Sequence, residues 1–202
     1  MSLLLENLTL VPGSVAGTAI ITVSSERIGI VGASTPLLPS ISASDDVTVL
    51  PDNATDYDAL AAKIQTGVDQ LTATGINKVI LLSHMQQLNI ERDKLAPRLR
   101  DVDIIIAGGS HTLLSDPTDH LRAGDPSGGS YRILKTNEEG NPIAIVNTDA
   151  NAKYVGRLVV NFDANGLLIP SSIDPNIMLL TTKGLQPWQG LLIQRLCKSP
   201  KC

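Results

Sequence analysis

A chain of 202 residues with 43% hydrophobic and only 2% aromatic residues can bury one substantial core, and that core must rest on Val, Ile, Leu and Ala. The net charge is −4, with Lys and Arg scattered along the chain, which excludes a nucleic-acid surface because such a surface needs clustered basic groups. No apolar run nears the roughly 20 residues that span a bilayer, and Cys197 and Cys202 sit too close to one end to frame a disulfide fold.

In chain order, the start MSLLLENLTL lacks a basic leader and carries Glu6 early, so it is a poor signal peptide. Residues 18–23 and 27–31 are short β-branched runs around Ser24-Ser25-Glu26 and predict a hairpin. Residues 32–56, rich in Ser, Thr, Pro and Asp, predict a loop. From Tyr57 the period changes. Tyr57, Leu60, Ile64, Val68 and Leu71 fall on one helical stripe, with Asp56 as N-cap and Gly75 as the stop. Residues 78–83, Lys-Val-Ile-Leu-Leu-Ser, form a continuous apolar run expected of a strand buried on both faces. A second helix is predicted over 89–100, with Glu91 and Asp93 in its first turn, followed by a buried strand over 103–107.

Strand, helix, strand with short links is a βαβ unit, so those two strands are expected to be parallel and joined right-handed. Beyond Thr112 the character turns to β, with strands predicted over 131–136, 143–148 and 156–162 and turns at 138–141 and 163–166. A last helix is expected from Pro187 to about Leu196. The fold class is therefore α/β: a parallel βαβ unit followed by antiparallel strands.

Ligands in open α/β sheets collect beyond the carboxyl ends of the strands. His84 directly follows one buried strand, and His111 follows the other through Ala-Gly-Gly-Ser. Parallel neighbours would bring both imidazoles to one edge, and neutral imidazole ligates divalent metals well. Gly108 and Gly109 let backbone approach an anion, and Ser110 and Thr112 add hydroxyls. The bland reading stands beside this one: a histidine after a strand is commonly a surface or satisfied core residue, and Asp116, Asp119 and His120 read as turn residues. A nucleotide-binding turn at Gly29-Ile-Val-Gly32 lacks the full glycine spacing and a helix that follows at once.

Val79-Ile-Leu-Leu-Ser-His84, Asp93-Lys-Leu-Ala96 and Val102-Asp-Ile-Ile-Ile-Ala-Gly-Gly-Ser-His-Thr112 together resemble the calcineurin-like metallophosphoesterases of the 5′-nucleotidase type. The nearest flavour is that of the atypical bacterial alkaline phosphatases. Ile28 to Pro36 resembles the strand and loop that precede that stretch, and Leu121 to Asp125, Ile143 to Asp149 and Tyr154 to Val160 resemble the family's closing strands. The resemblance implies a partial metallophosphoesterase-type sandwich: residues 1–175 as the C-terminal half of the catalytic domain, and 176–202 as an unrecognised tail. It implies metal-dependent hydrolysis of phosphomonoesters, with His84 and His111 as metal ligands and Gly108, Gly109 and Ser110 on the phosphate. The family's usual Gly-His-Ser-His has Gly109 at its first histidine, and its opening Asp-x-His and Gly-Asn-His motifs are not in this chain. The cofactor expected is a divalent metal, zinc or manganese first, calcium or magnesium otherwise. The partner expected is a small phosphorylated substrate, with a homo-oligomer through an exposed sheet edge. Relatives are usually periplasmic or secreted. The alternative implied by the missing ligands is a non-catalytic remnant binding phosphate, metal or a protein partner.

Overall fold

The computed structural model describes residues 16–42, 47–174 and 180–181. Strands β1 (Thr18–Val23) and β2 (Glu26–Ser34) form an antiparallel hairpin with Val23 opposite Glu26. Ser24 and Ser25 both take left-handed backbone, φ 50° and 70°, the two-residue turn whose twist matches the flanking strands. β2 runs on past residue 31 because it is interior, paired to β1 on one side and to the next strand on the other. The segment expected as loop holds a single helical turn, α1 (Leu38–Ile41).

Helix α2 (Tyr57–Thr72) forms as its stripe requires. Asp56 Oδ1 accepts from Ala59 N at 2.9 Å, which satisfies one of the free amides of the first turn. Leu60, Ile64, Val68 and Leu71 are all buried. Strand β3 (Val79–His84) follows. The helix expected over 89–100 is a composite: α3 (Leu88–Ile90), a π turn over Glu91–Leu95 and a 3₁₀ turn over Ala96–Arg98. Pro97 has no amide to continue an α ladder, and the widened turn instead carries Ala96 N to Glu91 O.

Strand β4 (Ile104–Gly108) leads into the parallel pair β5 (Leu114–Ser115) and β6 (Gly129–Ser130). Strands β7 (Ile133–Thr136) and β8 (Pro142–Val146) form a hairpin. Its turn is held by Asn137 Oδ1, which accepts from Glu139 N at 2.9 Å and Asn141 N at 2.8 Å. Then come β9 (Tyr154–Val155), β10 (Asn161–Phe162), β11 (Leu168–Ile169) and β12 (Leu180–Thr181). The strand expected over 156–162 is regular only at its end, because residues 156–160 line a cleft over the main sheet rather than join a ladder. The boundary at 175, the helix from Pro187 and both cysteines lie outside the described residues. Among those described, no helix is long and apolar enough to cross a membrane.

The main sheet has six strands in the order β1-β2-β3-β4-β8-β7, with β2, β3, β4 and β8 parallel and an antiparallel strand at each edge. β8 joins the parallel set because Ile143 to Val146 are all buried, whereas β7 alternates half-buried and exposed, as an edge strand does. The sheet's two faces differ. On one, Val31, Leu81, Ile105 and Ile145 stand side by side in register, fully buried. Their core cluster includes the apolar stripe of α2. On the other, Ile30, Ile80, Ile104 and Ala144 share a row that is largely covered, and Val160, Leu168 and Ile173 belong to the same core. Further along that face, Leu82 and Ile106 are 38% and 44% exposed.

Candidate active-site edge

Register puts Ser34, His84 and Gly108 side by side at the carboxyl ends of β2, β3 and β4. The continuation of β8 joins this edge: Thr148 bridges Leu113, and Asp149 N donates to Thr112 O at 3.1 Å. The cleft over the open face, about 480 Å³, reaches the same edge at Gly108 and Asn147 to Asp149.

His84 ends β3 with its side chain exposed, and its Nδ1 lies 3.3 Å from Gln86 Nε2. The loop after β4 crosses directly against the ring. Gly109 is left-handed, φ 82°, and a β-carbon there would stand 2.8 Å from both His84 Cε1 and Nδ1 and 3.0 Å from Gln86 N. With His84 in this position there is no room for a side chain at 109. His111 lies three residues beyond β4, exposed and itself left-handed at φ 53°. Between them, Ser110 Oγ lies 2.9 Å from Thr112 Oγ1 and accepts from Asn147 Nδ2 at 2.9 Å.

Asn147 is a site residue that the sequence did not single out. It is buried, binds Ser110 with its amide nitrogen, and accepts from Asp149 N at 3.1 Å with its oxygen. It therefore ties the loop bearing His111 to the end of β8. An ionic cluster stands beyond it: Lys153 pairs with Asp149 and, at 3.2 Å, with Asp125. Tyr154 Oη donates to Asp125 at 2.8 Å, and that bond, with Lys153, holds the Asp125 carboxyl below its usual range. The cluster's signal in the sequence was the family resemblance of Leu121 to Asp125 and Ile143 to Asp149; Asp149 and Lys153 are four residues apart, whereas Asp125 reaches both Lys153 and Tyr154 across nearly thirty residues.

Asp116 and Asp119 behave as turn residues. Asp116 Oδ1 accepts from Thr118 N at 2.7 Å and from Thr118 Oγ1 at 2.6 Å, and Asp119 Oδ2 accepts from Asp116 N at 2.7 Å. Two imidazoles near one edge are donors of the right kind for a divalent ion, and the fit is good as far as two ligands go. Among the described residues, however, no three His, Cys, Asp or Glu side chains converge. These residues alone do not close a metal cage.

No family model matches the chain. The 5′-nucleotidase of Bos taurus is 31% identical over 160 residues, which are 79% of this chain and 26% of that protein. The snake venom 5′-nucleotidase of Naja atra is 29% identical over 179 residues, 87% of this chain and 31% of the venom protein. Among solved structures, the 5′-nucleotidase precursor from Thermus thermophilus superposes with a TM-score of 0.75 at 31% identity, covering 91% of this chain and 34% of that one. The NAD nucleotidase of Haemophilus influenzae gives 0.72 at 28% identity, covering 90% and 34%. The chain thus spans about a third or less of the relatives it matches. Over that span, in sequence as in fold, it belongs to the 5′-nucleotidase metallophosphoesterases.

Proposed function

We propose that the chain supplies the histidine-bearing wall of a site for metal-dependent hydrolysis of small phosphomonoesters. The observation that carries this is the register of β3 and β4, which sets His84 beside Gly108 and starts the loop to His111 from the same edge. Relatives named 5′-nucleotidases support phosphoester hydrolysis in general; metal dependence and the monoester are the finer parts of the proposal. His84 and His111 offer imidazole nitrogens, which favour zinc or manganese over calcium or magnesium. Gly108, Gly109 and Ser110 offer backbone and a hydroxyl to phosphate oxygens without a β-carbon in the way at two of the three positions. A divalent ion, when bound, supplies positive charge to the phosphate and acidifies water. Two imidazoles do not complete its coordination, so it needs further donors beside them.

Release of nitrophenol from its phosphate ester, measured with and without chelator, tests this. The expected result is loss of activity with chelator and a drop of at least about tenfold in His84→Ala, since losing the support behind a ligand already costs about that much. Activity indifferent to both overturns the metal mechanism.

A second reading is favoured by the open face, where Leu82 and Ile106 lie side by side at 38% and 44% exposure, with Leu134 at 43%. On it, the chain does not turn over substrate and binds another polypeptide there, or a second copy through the edge strands β1 and β7. Sedimentation of a monodisperse monomer with no bound metal counts against it.

A further inference from the structure

Directly beneath the site edge lies an acid that the proposed chemistry does not use. Glu91 is fully buried, and its Oε1 accepts from Ser83 Oγ at 2.8 Å and from Met85 N at 3.3 Å. Those two residues are the immediate neighbours of His84. Strand alternation puts Ser83 on the buried face and His84 on the exposed one, so Glu91 grips the chain from below the imidazole. The grip spans the end of β3, where Ser83 and His84 still pair with β2 and β4 and Met85 is the first residue past the strand. Tolerance above is small, because the His84 ring lies against Gly109.

Burying a carboxyl is costly, and Glu91 Oε2 has no hydrogen-bond partner among the described residues. Glu91 also opens the π turn Glu91–Leu95, an irregularity that recurs at functional sites. An irregular, partly unsatisfied arrangement that grips both neighbours of a candidate ligand is spent on geometry rather than on stability.

We propose that Glu91 is a positioning residue for His84, fixing the imidazole against Gly109 by holding Ser83 and Met85 on either side of it. The role of the fixed imidazole as a metal donor rests on the function proposed above; the positioning itself does not.

The test uses the full chain, labelled on histidine rings, as wild type, Ser83→Ala, Glu91→Ala and Glu91→Gln. The nuclear Overhauser contact between His84 Hε1 and the Gly109 α-protons reports ring position, and titration with Co²⁺ alone reports donor quality. Ser83→Ala and Glu91→Ala are expected to lose the ring contact and to bind Co²⁺ about 10–100-fold more weakly, the usual cost of losing support behind a ligand. Glu91→Gln, which keeps an acceptor oxygen in place, is expected to retain the contact and most of the affinity. If Glu91→Ala does not fold, Ser83→Ala against Glu91→Gln decides. Ring contact and affinity unchanged in a folded Ser83→Ala or Glu91→Ala overturns the proposal, as does a Gln variant as impaired as the Ala variant. A wild type that binds no Co²⁺ sinks the reading of His84 as a donor, and the ring contact still decides the role of Glu91.

Discussion

Gly109 is the residue where backbone conformation and site geometry meet. Its φ of 82° and the 2.8 Å clearance to the His84 ring mean that a side chain there is opposed twice. Left-handed backbone costs a non-glycine residue roughly 1–2 kcal/mol, and the β-carbon displaces the imidazole. Gly109→Ala is therefore expected to lower unfolding stability by about that amount and to shift the His84 ring resonances while leaving those of His120 unmoved. At the opposite end of the same strands, Asp103 Oδ2 accepts from Val79 N at 2.8 Å, while Asp103 N donates to Val79 O at 3.0 Å. Burial pushes this carboxyl up to about 7 against that hydrogen bond. The unfolded chain releases the proton near pH 4, and the folded one holds it until about 7. Stability should consequently fall as pH rises through that interval and level off above it. At ~1.4 kcal/mol per pH unit the full effect approaches ~4 kcal/mol. Denaturant melts at several pH values should show the decline in wild type and a flatter profile in Asp103→Asn. Neither effect was legible beforehand: nothing local in Asp101-Val-Asp103 distinguishes the carboxyl that ends buried from the one that stays exposed.

At the scale of elements, the local code was largely readable. The stripe of α2 and its Asp56 cap formed as spaced, so Asp56→Ala should cost about 1 kcal/mol, read as a shift in urea midpoint at unchanged slope. The apolar runs of β3 and β4 became interior strands, and Leu81, fully buried between β2 and β4, should cost roughly 2–5 kcal/mol when cut to Ala. The 88–98 segment went differently. Helical period predicted a regular helix, but Pro97 breaks its ladder, and the chain answers with three kinds of turn in succession. That irregularity turns Glu91 inward under His84. Its place in a first turn marked Glu91 as an acid favouring the helix dipole; the packing against β3 buried it. The 156–162 run likewise read as a strand from its β-branched residues, and tertiary packing laid most of it over a sheet face instead.

For the molecule as a whole, the unequal sheet faces carry the main consequence. One face is closed by α2 and the other only partly by the segment after β9, leaving Leu82 and Ile106 open beside a cleft of about 480 Å³. Contiguous exposed apolar surface promotes association, so Leu82→Ser with Ile106→Ser should shift the protein toward monomer in concentration-dependent sedimentation, with little loss of stability. Retention of the same association sinks that face as the contact. Local pattern alone was enough for the α/β class, the hairpin, α2, the placing of His84 and His111, and the two central strands that precede them, although those strands, expected to be buried on both faces, leave Leu82 and Ile106 exposed on one. It also carried the family resemblance of residues 78–112, which the relatives bear out. Each of these depends on periodicity, turn chemistry or wording over a few neighbouring residues. The strand order, the parallel seat of β8, the contact of Gly109 with His84 and the burial of Glu91, Asp103 and Asn147 came from long-range packing alone. Those outcomes come from contacts between residues far apart in the chain, and a local pattern holds no record of which distant surface will meet it.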